Sequence, residues 1–258
     1  MVDGNSLRDT SRITGASKNT VTKLLVDIGQ ACSDYQDEHI RNIQCKRIQV
    51  DEIWSFCYAK QKNVPEELKG VFGYGDVWTW TAIFADSKLV PSFLIGGHDS
   101  WWASQFINDL KSRLKHHVQL TSDGYSVYLD AVENAFGCEV DYAMLVKIYG
   151  KAQYEKRYSP SECIGTETKI IAGRPDKKHI STSYVERQNL TMRMSMRRFT
   201  RLTNGFSKKI ENLQHAVALH FMYYNFARIH QTLKVTPAMA AGVTDRLWDV
   251  EDIVKLMD

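Results

Sequence analysis

Apolar positions along this chain recur with two different periods, and each change of period marks an element. Over residues 6–31 they fit two helices joined by a tight turn. Ser6 caps the first and Gly15 breaks it; Ser17 then caps a longer helix carrying Val21, Leu24, Leu25 and Ile28 on one face. A polar connector of mixed charge follows over 33–47. Residues 48–57, 77–84 and 90–95 are short runs rich in β-branched and aromatic side chains and predict strands, the last two forming a hairpin through 85–88. Asp99-Ser100 opens a helix with Trp102, Phe106, Leu110 and Leu114 as its apolar positions. A brief strand over 118–121 runs into Asp123-Gly124; a helix through Val127 and Val132 and a strand near 140–142 come next. Residues 150–178 carry many charges, two prolines and little periodicity, which predicts a long loop or insertion. Helix returns over 183–198. A final long helix is expected over 207–233, with Ile210, Leu213, Val217, Phe221 and Tyr224 as its buried face.

Strands first, helices between later strands and helices at the end predict an α/β fold: a mixed sheet covered on both faces, preceded by a small helical segment. That pattern fits an RNase H-like fold without compelling it. The expected organisation is a helix-turn-helix segment over 1–32, a linker over 33–46, a main domain over 47–236 with the insertion at 150–178, and a C-terminal tail over 237–258.

Composition narrows the class. With 258 residues, 43% hydrophobic and 24% charged, the chain is long enough for a full core and too apolar for disorder. No apolar run approaches the roughly 18–20 residues of a membrane span, and the first residues lack signal-peptide character, so a cytoplasmic, nucleoid-associated protein is expected. Five scattered cysteines with no C-x-x-C pair support neither a disulfide framework nor a zinc site. The net charge of +3 hides an uneven distribution: residues 177–209 hold nine Lys or Arg and one acid, Glu186. Such a stripe is either a solvated helix face or a track for a polyanion.

The helical segment meets helix-turn-helix requirements: Ser11 is small where the helices approach, Gly15 sits in the turn, and Val21 and Leu24 are expected inward. Ser17, Lys18, Asn19 and Lys23 are exposed early in the second helix, where a major groove would meet them. A plain helical hairpin used for dimerisation or packing satisfies the same pattern.

Three carboxylates stand out in the main domain. Two-metal phosphoryl transfer needs several acids converging on one point, with hard oxygen ligands suiting magnesium. Asp51 and Glu52 lie within the first strand, on opposite faces by side-chain alternation, so one of them is expected in a site; spacing does not choose which. Asp123 ends a strand, where α/β sites collect, although Asp-Gly also reads as a turn. Glu186 fits a capping box with Ser183. It also heads a helical line with Asn189, Arg193 and Arg197, so the lone acid leads a basic stripe that includes Arg187 and Arg198. His215 and His220 lack the glutamate of H-E-x-x-H and read as packing or polar-face residues, and Met192, Met194 and Met196 as core filling.

Taken in order, five segments carry a resemblance: Val50-Asp51-Glu52-Ile53-Trp54-Ser55-Phe56, Gly75-Asp76-Val77-Trp78-Thr79-Trp80, Thr121-Ser122-Asp123-Gly124-Tyr125, Tyr184-Val185-Glu186-Arg187-Gln188-Asn189 and Tyr224-Asn225-Phe226-Ala227-Arg228-Ile229-His230. Together they resemble bacterial insertion-sequence transposases of the DDE type, in the first-described insertion-sequence family, over nearly the whole chain. The resemblance implies an RNase H-like catalytic domain in which Asp51, Asp123 and Glu186 bind two Mg²⁺ ions, with Mn²⁺ able to substitute, and it prefers Asp51 to Glu52. It implies double-stranded DNA partners, namely terminal inverted repeats and target DNA, read by the helix-turn-helix, and a homo-oligomer assembled on DNA. The reaction it implies is strand cleavage followed by strand transfer. Family members often carry a cysteine segment ahead of the helix-turn-helix that is missing here, so the alternative is an inactive or truncated transposase-derived DNA-binding protein.

Overall fold

The computed structural model describes residues 1–150, 163–200 and 203–258. Local signals set its first elements. Ser6 and Asp9 form a capping box at the start of α1 (Leu7–Thr14), and Gly15, at φ +73°, ends it in the left-handed conformation that glycine adopts without a Cβ penalty. The Ser17 side chain accepts from Thr20 N and starts α2 (Lys18–His39). This helix runs unbroken through much of the stretch expected to be a polar linker. Val21, Leu25, Ile28, Cys32 and Gln36 bury one continuous stripe of it. Leu24, expected inward, is 42% exposed.

Six strands form one sheet, β1 (Arg47–Cys57), β2 (Gly75–Phe84), β3 (Phe93–Gly96), β4 (Val118–Ser122), β5 (Val140–Tyr149) and β6 (Cys163–Ala172), in the order β3-β2-β1-β4-β5-β6. β1 is antiparallel to β2 and parallel to β4; β4 is parallel to β5. The mixed sheet expected from the pattern is thus present. Residues 151–162 of the expected insertion lie outside the described residues. Its remainder is not a loop as far as Ala172, because β6 pairs along β5 from Tyr142↔Ala172 to Tyr149↔Cys163. Most of β6 is exposed, so its sequence never had to alternate. β5 is correspondingly longer than the segment near 140–142 that apolar residues marked.

α3 (Ser100–Ser112, capped by Asp99) and α4 (Val127–Phe136) cover one face, where Phe106 and Tyr128 meet Trp80 of β2. The other face carries α5 (Ser183–Ser195) and α6 (Ile210–Met222), whose Phe221 stacks on Phe93. α2 lies on α6 so closely that a Cβ on Gly29 would stand 2.4 Å from His215 Cβ. Sandwiched between sheet and α2, α6 is buried nearly all round, and it gives way to a π turn over Tyr223–Ala227 instead of continuing to 233. The expected tail forms two short helices, α7 (Pro237–Ala240) and α8 (Val250–Val254), with Ala238, Trp248 and Ile253 in the core. All five cysteines are unpaired. Met192 and Met196 fill the core as expected, whereas Met194 is 70% exposed.

Candidate metal and DNA site

β1 and β4 part company early. Their parallel pairing covers Arg47 to Gln49 on β1 and ends at Thr121 on β4, so among the described residues that edge of β1 has no strand partner from Val50 until Cys57 bridges Ser207. In an interior strand the neighbouring strand separates the two faces. Here the neighbour has ended, and carboxylates from both faces reach one gap. Asp51, Glu52 and Asp123 each place an oxygen within 4.8 Å of the others. The expectation that only Asp51 or Glu52 enters the site is therefore corrected: alternation holds along the strand, but its edge is open.

Asp51 is held by Asn189 of α5, whose Nδ2 donates to Oδ2 at 2.8 Å. Burial, then the nearby Glu52 and Asp123 carboxylates, push Asp51 up to about 7. Glu52 is also raised, by burial first, with His98 and Tyr128 offsetting part of it. Its side chain is 6% exposed; Oε2 lies 3.9 Å from His98 Nε2, and Oε1 has no hydrogen-bond partner among the described residues. Asp123 accepts from Tyr125 N at 2.9 Å, an Asx turn that fixes the carboxylate just beyond β4. The turn expected at Asp123 thus forms, and its carboxylate also stands close to those of Asp51 and Glu52.

Glu186 lies in the same cleft, outside that group of three. Lys147 of β5 pairs with its Oε2 at 2.5 Å, and the Thr182 hydroxyl donates to Oε1. The expected capping box is absent. Thr182 is the N-cap residue, and the buried Gln49 side chain caps α5 from β1: its Oε1 accepts from Tyr184 N at 2.8 Å and Val185 N at 3.2 Å. Gln49 thereby ties the helix bearing Glu186 and Asn189 to the strand bearing Asp51.

The cleft has a volume of about 750 Å³, and Asn189, Leu190 and Arg193 line its α5 side. Of the expected basic stripe, Arg193 is the member that reaches it among the described residues. Arg187 is exposed elsewhere on α5, and Arg197 and Arg198 lie beyond the helix in a 3-10 turn. Arg198 is turned inward, with Nε donating to Ser207 Oγ at 2.7 Å and burial lowering it to about 10, which corrects its reading as a free phosphate contact on the helix. On α2, Ser17, Lys18, Asn19 and Lys23 are exposed, and Lys23 pairs with Asp27.

Sequence reasoning missed His98, Lys147 and Gln49. His98 is clamped between Trp78 and Tyr125, with ring centroids at 4.6 and 4.2 Å and planes within 13°, and its carbonyl accepts from the Tyr125 hydroxyl. Trp78 and Tyr125 both belong to segments that carry the transposase resemblance, but nothing in their spacing points to a histidine between them.

No protein-family model matches the chain, and no curated protein matches it. Among solved structures, the crystal structure of the Mos1 mariner paired end complex with Mn aligns over 86% of this chain and 73% of that one, at 10% identity and a TM-score of 0.25. A likeness this slight decides neither fold nor function. No described helix is long and apolar enough to cross a membrane.

Proposed function

We propose that this chain is a DDE-type DNA transposase with an RNase H-like domain, cutting and joining strands at the ends of an insertion sequence with the help of divalent metal. The observation that carries this reading is the convergence of Asp51, Glu52 and Asp123 at the open edge of β1. Those residues suit a metal: the donors are all hard oxygens, and a buried Glu52 oxygen is without a hydrogen-bond partner among the described residues. Asp51 and Asp123, with Glu186 across the cleft, would hold Mg²⁺ or Mn²⁺, and Glu52 is close enough to join them. A bound pair of such ions lowers the pKa of water and stabilises charge on the phosphodiester. The chain's own residues do the positioning. Asn189 orients Asp51, Gln49 sets the height of α5, and Arg193 offers a phosphate contact beside the carboxylates.

DNA duplex ends are the proposed substrate, with Ser17, Lys18, Asn19 and Lys23 reading the repeat, Arg187 and Arg197 adding phosphate contacts, and two copies joining two ends. The Lys147–Glu186 ion pair favours a second reading, a non-catalytic DNA-binding chain, because it leaves the glutamate occupied. Strand cleavage of a duplex carrying the inverted repeat, in Mg²⁺ and in Mn²⁺, separates the two. Wild-type cleavage that Asp51→Asn and Glu186→Gln abolish, with DNA binding retained, is the expected result. Binding without cleavage by the wild type would establish the second reading, and cleavage persisting in Asp51→Asn would overturn the site.

A further inference from the structure

Beside the acidic cleft, and sharing Arg193 with it, lies a second cavity of about 880 Å³, within the range of small-ligand sites (roughly 300–1,000 Å³). Its walls differ from those of the first. Trp54, Phe56 and Tyr58 come from the open half of β1 and its end, and Phe206 stands opposite, 4.7 Å from Phe56 between ring centroids. Among the described lining residues are four cations, Lys60, Lys62, Arg193 and Arg198, and no carboxylate. Trp54 and Tyr58 keep 40% and 37% of their surface exposed, an unusual state for large rings at the end of a core strand. Tyr58 also sits at φ +65°, a conformation that costs a non-glycine residue about 1–3 kcal/mol and is retained where the surroundings hold it. Here its N–H donates to Ser207 O at 2.9 Å, which helps hold that backbone conformation.

We infer that this cavity is a subsite for unpaired nucleotides of single-stranded DNA, their bases stacked on Trp54 and Tyr58 and their phosphates met by Lys60 and Lys62. Exposed rings interleaved with cations are what a single strand needs: every base offers a π face, and every linkage one negative charge. In a duplex those faces are already stacked, so the cavity selects strands that have separated. Its continuity with the acidic cleft puts such a strand next to the phosphate to be cut; that placement rests on the function proposed above, whereas the binding itself does not.

Fluorescence anisotropy with a labelled dT8 and with an abasic 8-mer of the same charge tests the inference, in EDTA so that cleavage plays no part. The wild type is expected to bind dT8 about tenfold or more tightly than the abasic strand, in line with stacking on one or two rings. Trp54→Ala should erase that preference without changing affinity for the abasic strand, and Trp54→Phe should restore most of it. Trp54 is half exposed, so neither variant threatens the core. Equal affinity of the wild type for the two strands, or a preference untouched by Trp54→Ala, would overturn the inference. Asp51→Asn should keep the preference for dT8 over the abasic strand, so loss of cleavage and loss of base stacking are distinguished by different variants and different readouts.

Discussion

Replacing Gln49 with methionine keeps nearly the same volume and removes the acceptor that caps α5. Gln49 is 3% exposed, and its Oε1 takes two backbone N–H groups, from Tyr184 and Val185. Each bond contributes about 1 kcal/mol net, and a buried donor left unmet costs about 1–3 kcal/mol. Val185 N is buried, so water cannot replace the lost acceptor there, whereas Tyr184 N is partly accessible. The sum is roughly 2–4 kcal/mol. For a chain of this size each kcal/mol lowers Tm by about 2–4 °C, which gives a drop of roughly 5–15 °C by thermal unfolding. The damage should also reach the cleft, because α5 carries Glu186 and Asn189: metal-dependent cleavage should fall further than DNA affinity does. A Tm within about 2 °C of wild type would refute the reasoning, since it would mean that β1 and α5 are held in register by something other than this side chain.

Two other sites test the packing behind the cleft. Gly29→Ala gains about 1 kcal/mol of helix propensity but drives a methyl into His215, and overpacking of about 1–3 kcal/mol or more should win; a raised Tm would show that α2 and α6 part easily. His220 is buried, its Nε2 has no hydrogen-bond partner among the described residues, and burial, then the Arg228 charge, lowers it to about 3 against roughly 6.5 unfolded. Between those values only the unfolded chain takes up the proton, so stability is full above about pH 6.5 and declines as pH falls, by about 2 kcal/mol at pH 5. Urea unfolding at pH 7.5 and pH 5 should show that loss in the wild type and a smaller one in His220→Leu; parallel losses would place the acid sensitivity elsewhere.

What the sequence disclosed was local. Ser6, Gly15 and Ser17 act on neighbours three or four residues away, and their caps form as their chemistry dictates. The β-branched run around Val50 and the Asp123 turn were equally legible. The errors share a cause, which is that the deciding partner is distant in sequence. α2 runs on past residue 33 because α6 covers its stripe, and a buried Gln36, donating to Ala218 O, disguised that stripe as polar. β6 exists because β5 supplies its hydrogen bonds, not because its side chains bury anything. Ser183 looked like a cap, but Gln49, 135 residues before Tyr184 in the chain, does that work. Asp51 and Glu52 could both enter the cleft only because β4 stops at Ser122, a fact about the neighbour and not about the strand.

α2 carries one more implication. It spans 22 residues, about 33 Å at 1.5 Å per residue, and its buried stripe is clamped on α6 while its leading turn displays Lys18 and Asn19. A flexible tether would let the leading turn wander; a continuous rod makes it a ruler. A partner held by Lys18 and Asn19, as in the function proposed above, would be measured off at a fixed distance and rotation from the carboxylates of β1. One alanine inserted between Asn19 and the α6 contact would lengthen the rod by only about 1.5 Å yet turn its tip through about 100°. The geometry therefore makes phase, more than reach, the quantity that this helix enforces.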